Sequence, residues 1–85
     1  MVTQSYAVIA TIQDARTIPK LETKLKDHAK IRSIHYLTSP DKNNWPQITI
    51  AIYMIETETP RTLKITLTSL EQHRKIKITL QKATN

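Results

Sequence analysis

Thr59-Pro60-Arg61-Thr62-Leu63-Lys64-Ile65-Thr66-Leu67-Thr68-Ser69-Leu70 decides the fold of this chain, because its tetrapeptide Lys64-Ile65-Thr66-Leu67 returns word for word as Lys77-Ile78-Thr79-Leu80. Local sequence alone gives both copies the same structure. Read as a strand, the first copy alternates Leu63, Ile65 and Leu67 with Lys64, Thr66 and Thr68. Read as a helix, it sets Leu63, Leu67 and Leu70 at i, i+4 and i+7 on one stripe and leaves Lys64 outside. The flanks separate the copies. Thr59 stands in a capping position before Pro60, whose set φ and missing N–H suit the first turn of a helix. We therefore read 60–72 as a helix and the second copy, continued from Ile76, as a strand.

Working back toward the N-terminus, 47–55 alternates Ile48, Ile50, Ile52 and Met54 with Thr49, Ala51 and Tyr53, a strand pattern. Ser39-Pro40-Asp41-Lys42-Asn43-Asn44 before it is the strongest turn signal in the chain, since Pro sets φ and Asp and Asn satisfy local backbone groups. The run 31–38 alternates Ile34 and Tyr36 with Ser33, His35 and Leu37, so it and 47–55 are expected to form an antiparallel hairpin. Ile18, Leu21, Leu25 and Ala29 make a helical stripe opened by Thr17 as cap, with Glu22 and Lys26 paired four apart on the wet side. The run 5–13 alternates Tyr6, Val8, Ala10 and Ile12 with Ala7, Ile9 and Thr11, apolar on both sides, and reads as a central strand.

The order β-α-β-β-α-β with short connections predicts one α+β domain over the 85 residues, a ferredoxin-like plait with a four-stranded antiparallel sheet and both helices on one face. The opposite face is expected to show Ile9, Thr49, Ala51, Tyr53, Ile55, Lys77 and Thr79. So apolar a face invites a partner, which makes Ile9, Tyr53 and Ile55 the candidate interface of a homodimer.

Composition removes whole classes of chemistry. With no glycine there is no P-loop, dinucleotide fingerprint or anion nest that needs positive φ. With no cysteine there is no disulfide framework, thiolate catalysis or Cys-ligated metal. His28, His35 and His73 lack the short spacing that sets two imidazoles on one face, so no metal or other cofactor is expected. No run approaches the roughly 20 apolar residues of a membrane span, and the start lacks a signal-peptide pattern; a soluble, cytoplasmic chain is expected.

The net charge of +6, from 13 Lys and Arg against 7 Asp and Glu, is compatible with an anionic partner such as nucleic acid or an acidic membrane surface, but the cations are scattered and a solvated helix face explains most of them. Tyr6, Tyr36 and Tyr53 all fall on strands, which raises a base-stacking platform needing at least two rings on one face, but 47–54 lacks the basic-glycine-aromatic pattern of the RNA-binding plait and core or interface roles are expected for the tyrosines. By alternation Tyr36 points to the helices. Trp45 is read as pinning the hairpin against a partner. Asp14 and Arg16 with Thr17, after the first strand, are the candidate ligand-binding residues, weighed against a plain loop ion pair. Catalytic residues are not assigned, His35 and His73 being the candidates for acid or base work if the chain were an enzyme.

The order and the segments Tyr6-Ala7-Val8-Ile9-Ala10, Ile31-Arg32-Ser33-Ile34 and His73-Arg74-Lys75-Ile76-Lys77-Ile78 resemble the ACT-like group of small regulatory αβ plaits. More loosely they are similar to the cytoplasmic C-terminal domain of the MgtC/SapB family of membrane proteins. ACT domains usually carry a glycine after the first strand where an amino acid binds; here Asp14-Ala15-Arg16-Thr17 stands instead. The resemblance implies a non-enzymatic regulatory or assembly domain that dimerises, attached in the second family to a transmembrane part preceding Met1. A basic nucleic-acid-binding domain is the alternative reading.

Overall fold

A computed structural model describes residues 3–38, 48–73 and 76–83. The elements run β1 (Gln4–Ile12), α1 (Thr17–His28), β2 (Lys30–Thr38), β3 (Thr49–Thr57), α2 (Pro60–His73) and β4 (Ile76–Lys82). They form one antiparallel sheet in the order β2-β3-β1-β4. β1 and β2 thus run parallel with β3 between them, and β3 and β4 run parallel with β1 between them. These are two interleaved split βαβ units, the ferredoxin-like arrangement. The predicted turn at 39–44 and Trp45 lie outside the described residues.

The repeated tetrapeptide takes both structures. In α2 the first copy buries Leu63 and Leu67 at 0% and 3% exposure while Ile65 stands 71% exposed on the outer side. In β4 the second copy turns Ile78 and Leu80 toward the core. Tertiary context, entered through Thr59 and Pro60, overrides local propensity.

The core lies between the sheet and the helices. Val8, Ala10 and Ile12 of β1, Ala51, Tyr53 and Ile55 of β3, Leu21 and Leu25 of α1, and Leu63 and Leu67 of α2 are all buried, closed at one end by Ile76. The register places Val8 opposite Tyr53 and Ala10 opposite Ala51. Two alanines facing each other in the central strands leave room for the leucines above them.

This register corrects the expectation for β3. Ala51, Tyr53 and Ile55 face the helices, Tyr53 and Ile55 being 0% and 1% exposed. Ile50, Ile52 and Met54 therefore occupy the helix-free side, since side chains alternate along a strand. The physical reason is that the polar atoms on the inner parity find partners. Tyr53 donates its hydroxyl to Glu22 Oε2 at 3.1 Å, and Thr57, 2% exposed, donates to the His28 carbonyl at 2.8 Å. Among the described residues no buried side-chain nitrogen or oxygen lacks a hydrogen bond.

β2 carries a bulge at Arg32, for Ile31 pairs with Ile55 while Ser33 pairs with Met54. The extra residue shifts the alternation by one. It lets Ile31 join Ile34 and Tyr36 on the helix side, as the alternation of 33–37 predicts for Tyr36.

Two corrections concern α1. Arg16, not Thr17, is the N-cap, and it makes no side-chain capping bond. Thr17 is the first helical residue and is buried, its N–H bonded to the Asp14 carbonyl at 2.9 Å. Glu22 leaves the wet side, where a pairing with Lys26 was expected, and turns to the two tyrosines.

The two copies of the tetrapeptide give a direct test. Leu67→Ala is expected to cost about 2–5 kcal/mol in urea denaturation, while Ile65→Ala and Lys64→Ala stay within about 0.5 kcal/mol. A large loss at Ile65 would contradict the helical first copy.

Candidate functional site

The helix-free face of the sheet is the most developed surface. Pairing between strands lays it out as three rows across β2, β3, β1 and β4: Ser33–Met54–Ala7–Gln81, His35–Ile52–Ile9–Thr79, and Leu37–Ile50–Thr11–Lys77. Ile52 and Ile9 stand directly opposite each other at the centre. Apolar atoms dominate the two central strands, Leu37 on the edge is 56% exposed, and polar groups mark the margins: Lys77 and Gln81 on one edge, His35 and Ser33 on the other. Arg32 at the bulge reaches Glu56 Oε1 at 3.6 Å, an ion pair at the rim.

Of the three residues predicted for an interface, this face holds Ile9. Tyr53 and Ile55 are in the core instead, and Ile50, Ile52 and Met54 take the positions assigned to them. The unbroken alternation of isoleucines in β3 was the signal for an apolar face; it could not say which side the helices would cover.

All three tyrosines share the helix-side parity. Tyr36 and Tyr53 meet edge to face, 6.4 Å between centroids at 87°, and both donate their hydroxyls to Glu22 Oε2. Tyr6 donates to Gln4 at 2.8 Å. Among the described residues the helix-free face therefore presents no tyrosine, and the platform of tyrosines weighed from sequence does not form there.

Burial first, then the Glu22 charge, pushes the Tyr53 phenol well above its ordinary range, and the hydrogen bond to Glu22 raises Tyr36 as well. Glu22, which sequence reading placed in solvent, is thus the residue that fixes α1 to β2 and β3.

Asp14 and Arg16 close on each other. The Arg16 backbone N–H and Nε both donate to Asp14 Oδ1, at 3.0 and 3.1 Å, and Nη2 donates to Oδ2 at 3.0 Å. The pair is the exposed loop ion pair weighed against ligand binding, with the Arg16 side chain 90% exposed and its guanidinium raised by the Asp14 hydrogen bond. Thr17, the third residue of the predicted set, is buried at the start of α1.

At the opposite end a cavity of about 360 Å³ is bordered by Asp27, His28, Lys30, Glu56 and Thr57. The His28 ring nitrogen Nε2 lies 3.4 Å from Thr66 Oγ1. Among the described residues no three His, Asp or Glu side chains converge as a metal site. His35 sits at the edge of the helix-free face, away from this cavity, and the side chain of His73 lies outside the described residues.

No family model and no curated protein matches the chain. Among solved structures it is similar to the crystal structure of an unknown protein from Galdieria sulphuraria, with a TM-score of 0.83 and 16% identity, covering 96% of this chain. The chain spans half the length of that protein, 50%. At that identity the likeness is one of fold. No helix among the described residues is long and apolar enough to cross a membrane.

The tyrosine pair has a measurable consequence. A phenol held neutral in the folded state stabilises the fold fully below the unfolded-state value of about 10, and that contribution falls as pH rises above it, where the unfolded chain releases the proton and the folded chain keeps it. Unfolding free energy measured from about pH 8 to 11 is expected to decline by up to about 1.4 kcal/mol per pH unit for each such group. Tyr53→Phe should flatten that slope relative to the parent. An identical slope would mean that Tyr53 is not held neutral.

Proposed function

We propose that this chain is a non-enzymatic regulatory or assembly domain, ACT-like in character, that pairs with a second copy of itself through the helix-free face of its sheet. The observation that carries the reading is the row His35–Ile52–Ile9–Thr79 with Ile50, Met54 and Leu37 around it, an apolar centre with polar margins. That is the anatomy of a protein interface, where charge is depleted at the middle and kept at the rim.

The size fits. Three nine-residue strands and the seven-residue β4, at about 3.3 Å per residue and about 4.8 Å apart, make a face of roughly 30 by 19 Å at most. Two such faces pressed together bury on the order of 1,100 Å², near the lower end of specific interfaces, so a dimer that forms and separates with concentration is the expected behaviour. A two-fold arrangement would set each row against its own copy. Through the MgtC/SapB resemblance, such a module would belong on the cytoplasmic side of a transmembrane part.

Nucleic-acid binding is the weaker alternative. The net positive charge favours it, but the sheet face that such plaits use carries isoleucine and methionine where stacking needs rings.

Sedimentation equilibrium over micromolar to millimolar concentration is expected to give a mass rising from the monomer's 9.8 kDa toward twice that value. Ile52→Glu, which places a charge at the centre of the contact, should hold the chain monomeric with its helix and strand signals intact. A clean monomer at the highest concentration, or an Ile52→Glu chain that dimerises like the parent, would refute the reading.

A further inference from the structure

The outer surface of the helical layer carries a second feature, on the side of the domain away from the sheet face and independent of it. α1 contributes Lys20, Lys24 and Lys26, and α2 contributes Arg61 and Lys64, all exposed. The helices carry three acids, and among the described residues none of them is ion-paired to these cations. Glu22 Oε2 is held by the Tyr36 and Tyr53 hydroxyls. Glu71 lines a small hollow with Lys64 on the β4 side of α2, and its Oε2 accepts the Ile78 N–H at 2.6 Å. Asp27 borders the end cavity.

The same surface is more apolar than its composition suggests. Thr23 donates its hydroxyl to the Pro19 carbonyl at 2.9 Å and Thr68 to the Lys64 carbonyl at 2.9 Å. Each bond turns the polar atom back onto the preceding helical turn and satisfies it there. Ile65 is 71% exposed, and two shallow hollows are lined in part by lysines. One, of about 300 Å³, lies between the helices, lined by Pro19, Lys20, Thr23, Lys24 and Leu70. The other, of about 380 Å³, lies on α2, lined by Lys64, Ile65, Thr68, Ser69 and Gln72.

We propose that this helical face docks on an anionic lipid surface, the lysines and Arg61 meeting headgroup phosphates and carboxylates while Ile65 enters the boundary between headgroups and acyl chains. Charge complementarity selects the occupant: basic residues around a protruding apolar side chain are the make-up of interfacial helices that bind acidic membranes. Nucleic acid fits less well, because neither helix carries a tyrosine, tryptophan or phenylalanine ring and the half-exposed Tyr36 at the β2 edge has its hydroxyl bonded to Glu22. A second copy would bring like charge against like charge.

The test is flotation of the purified chain with phosphatidylcholine vesicles, with and without phosphatidylserine. Binding is expected only with phosphatidylserine, and raising the salt to about 1 M, where the screening length falls to about 3 Å, should abolish it. Neutralising Lys20, Lys24 and Lys64 together by Lys→Gln should weaken binding by roughly a hundredfold, about five-fold for each. Ile65→Ser should weaken it by roughly ten-fold or more through the lost apolar contact. These positions are exposed, and circular dichroism should show both variants folded like the parent. The proposal is overturned by any of three results: no binding to phosphatidylserine vesicles at low salt, equal binding to vesicles without it, or binding unchanged by the lysine or Ile65 substitutions. Displacement from the vesicles by an oligonucleotide at equal phosphate concentration would overturn it in favour of nucleic acid. Failure here leaves the sheet-face dimer untouched, since that contact uses the other side of the domain.

Discussion

The pairing of β1 with β3 governs everything else in this molecule. Side chains alternate along each strand, so a slip of one residue would carry the whole inner set to the outside. Ala10 opposite Ala51 lets the leucines of both helices come down onto the sheet, and Val8 opposite Tyr53 fills the space beside them. The Tyr53 hydroxyl could not be buried there without a partner, and Glu22 on α1 supplies one that Tyr36 shares. One polar cluster therefore fixes the register of the central strands, the seat of the first helix and the side on which β3 shows its isoleucines.

The order of elements was legible in the sequence because periodicity and capping act locally. Thr59 and Pro60 marked α2 strongly enough to separate two identical tetrapeptides into helix and strand. The parity of β3 was not legible. Ile48, Ile50, Ile52 and Met54 form the more continuous apolar row, yet the helices cover Ala51, Tyr53 and Ile55. Hydrophobicity alone would seat the first row inside; volume and hydrogen bonding seat the second. A small residue under a helix and a tyrosine with a carboxylate above it are pairings between distant segments, and no window of local sequence contains both members.

The candidate sites follow the same division. Ile9 was correctly placed on the helix-free face because β1 is central and apolar on both sides. Tyr53 and Ile55 were misplaced with the parity of their strand. Asp14 and Arg16 were legible as a pair, three hydrogen bonds now joining them within the loop, whereas Thr17 passed for a cap because threonine before an apolar stripe usually is one. Glu22 was hidden, since a glutamate four residues before a lysine reads as solvated until the strand carrying its tyrosines is brought beneath it.

The domain that results has two faces of opposite character: an aliphatic sheet with polar margins, and a helical layer with basic groups around Ile65. The first is the basis of the self-pairing reading, and its central claim is that Ile9, Ile50, Ile52 and Met54 touch their own counterparts. An isotope-filtered nuclear Overhauser experiment on a mixture of methyl-labelled and unlabelled chains tests that contact directly. The account expects intermolecular cross-peaks from the methyls of these four residues and none from Leu21, Leu25, Leu63 or Leu67. Intermolecular peaks arising from the helical layer, with the four sheet residues silent, would contradict it.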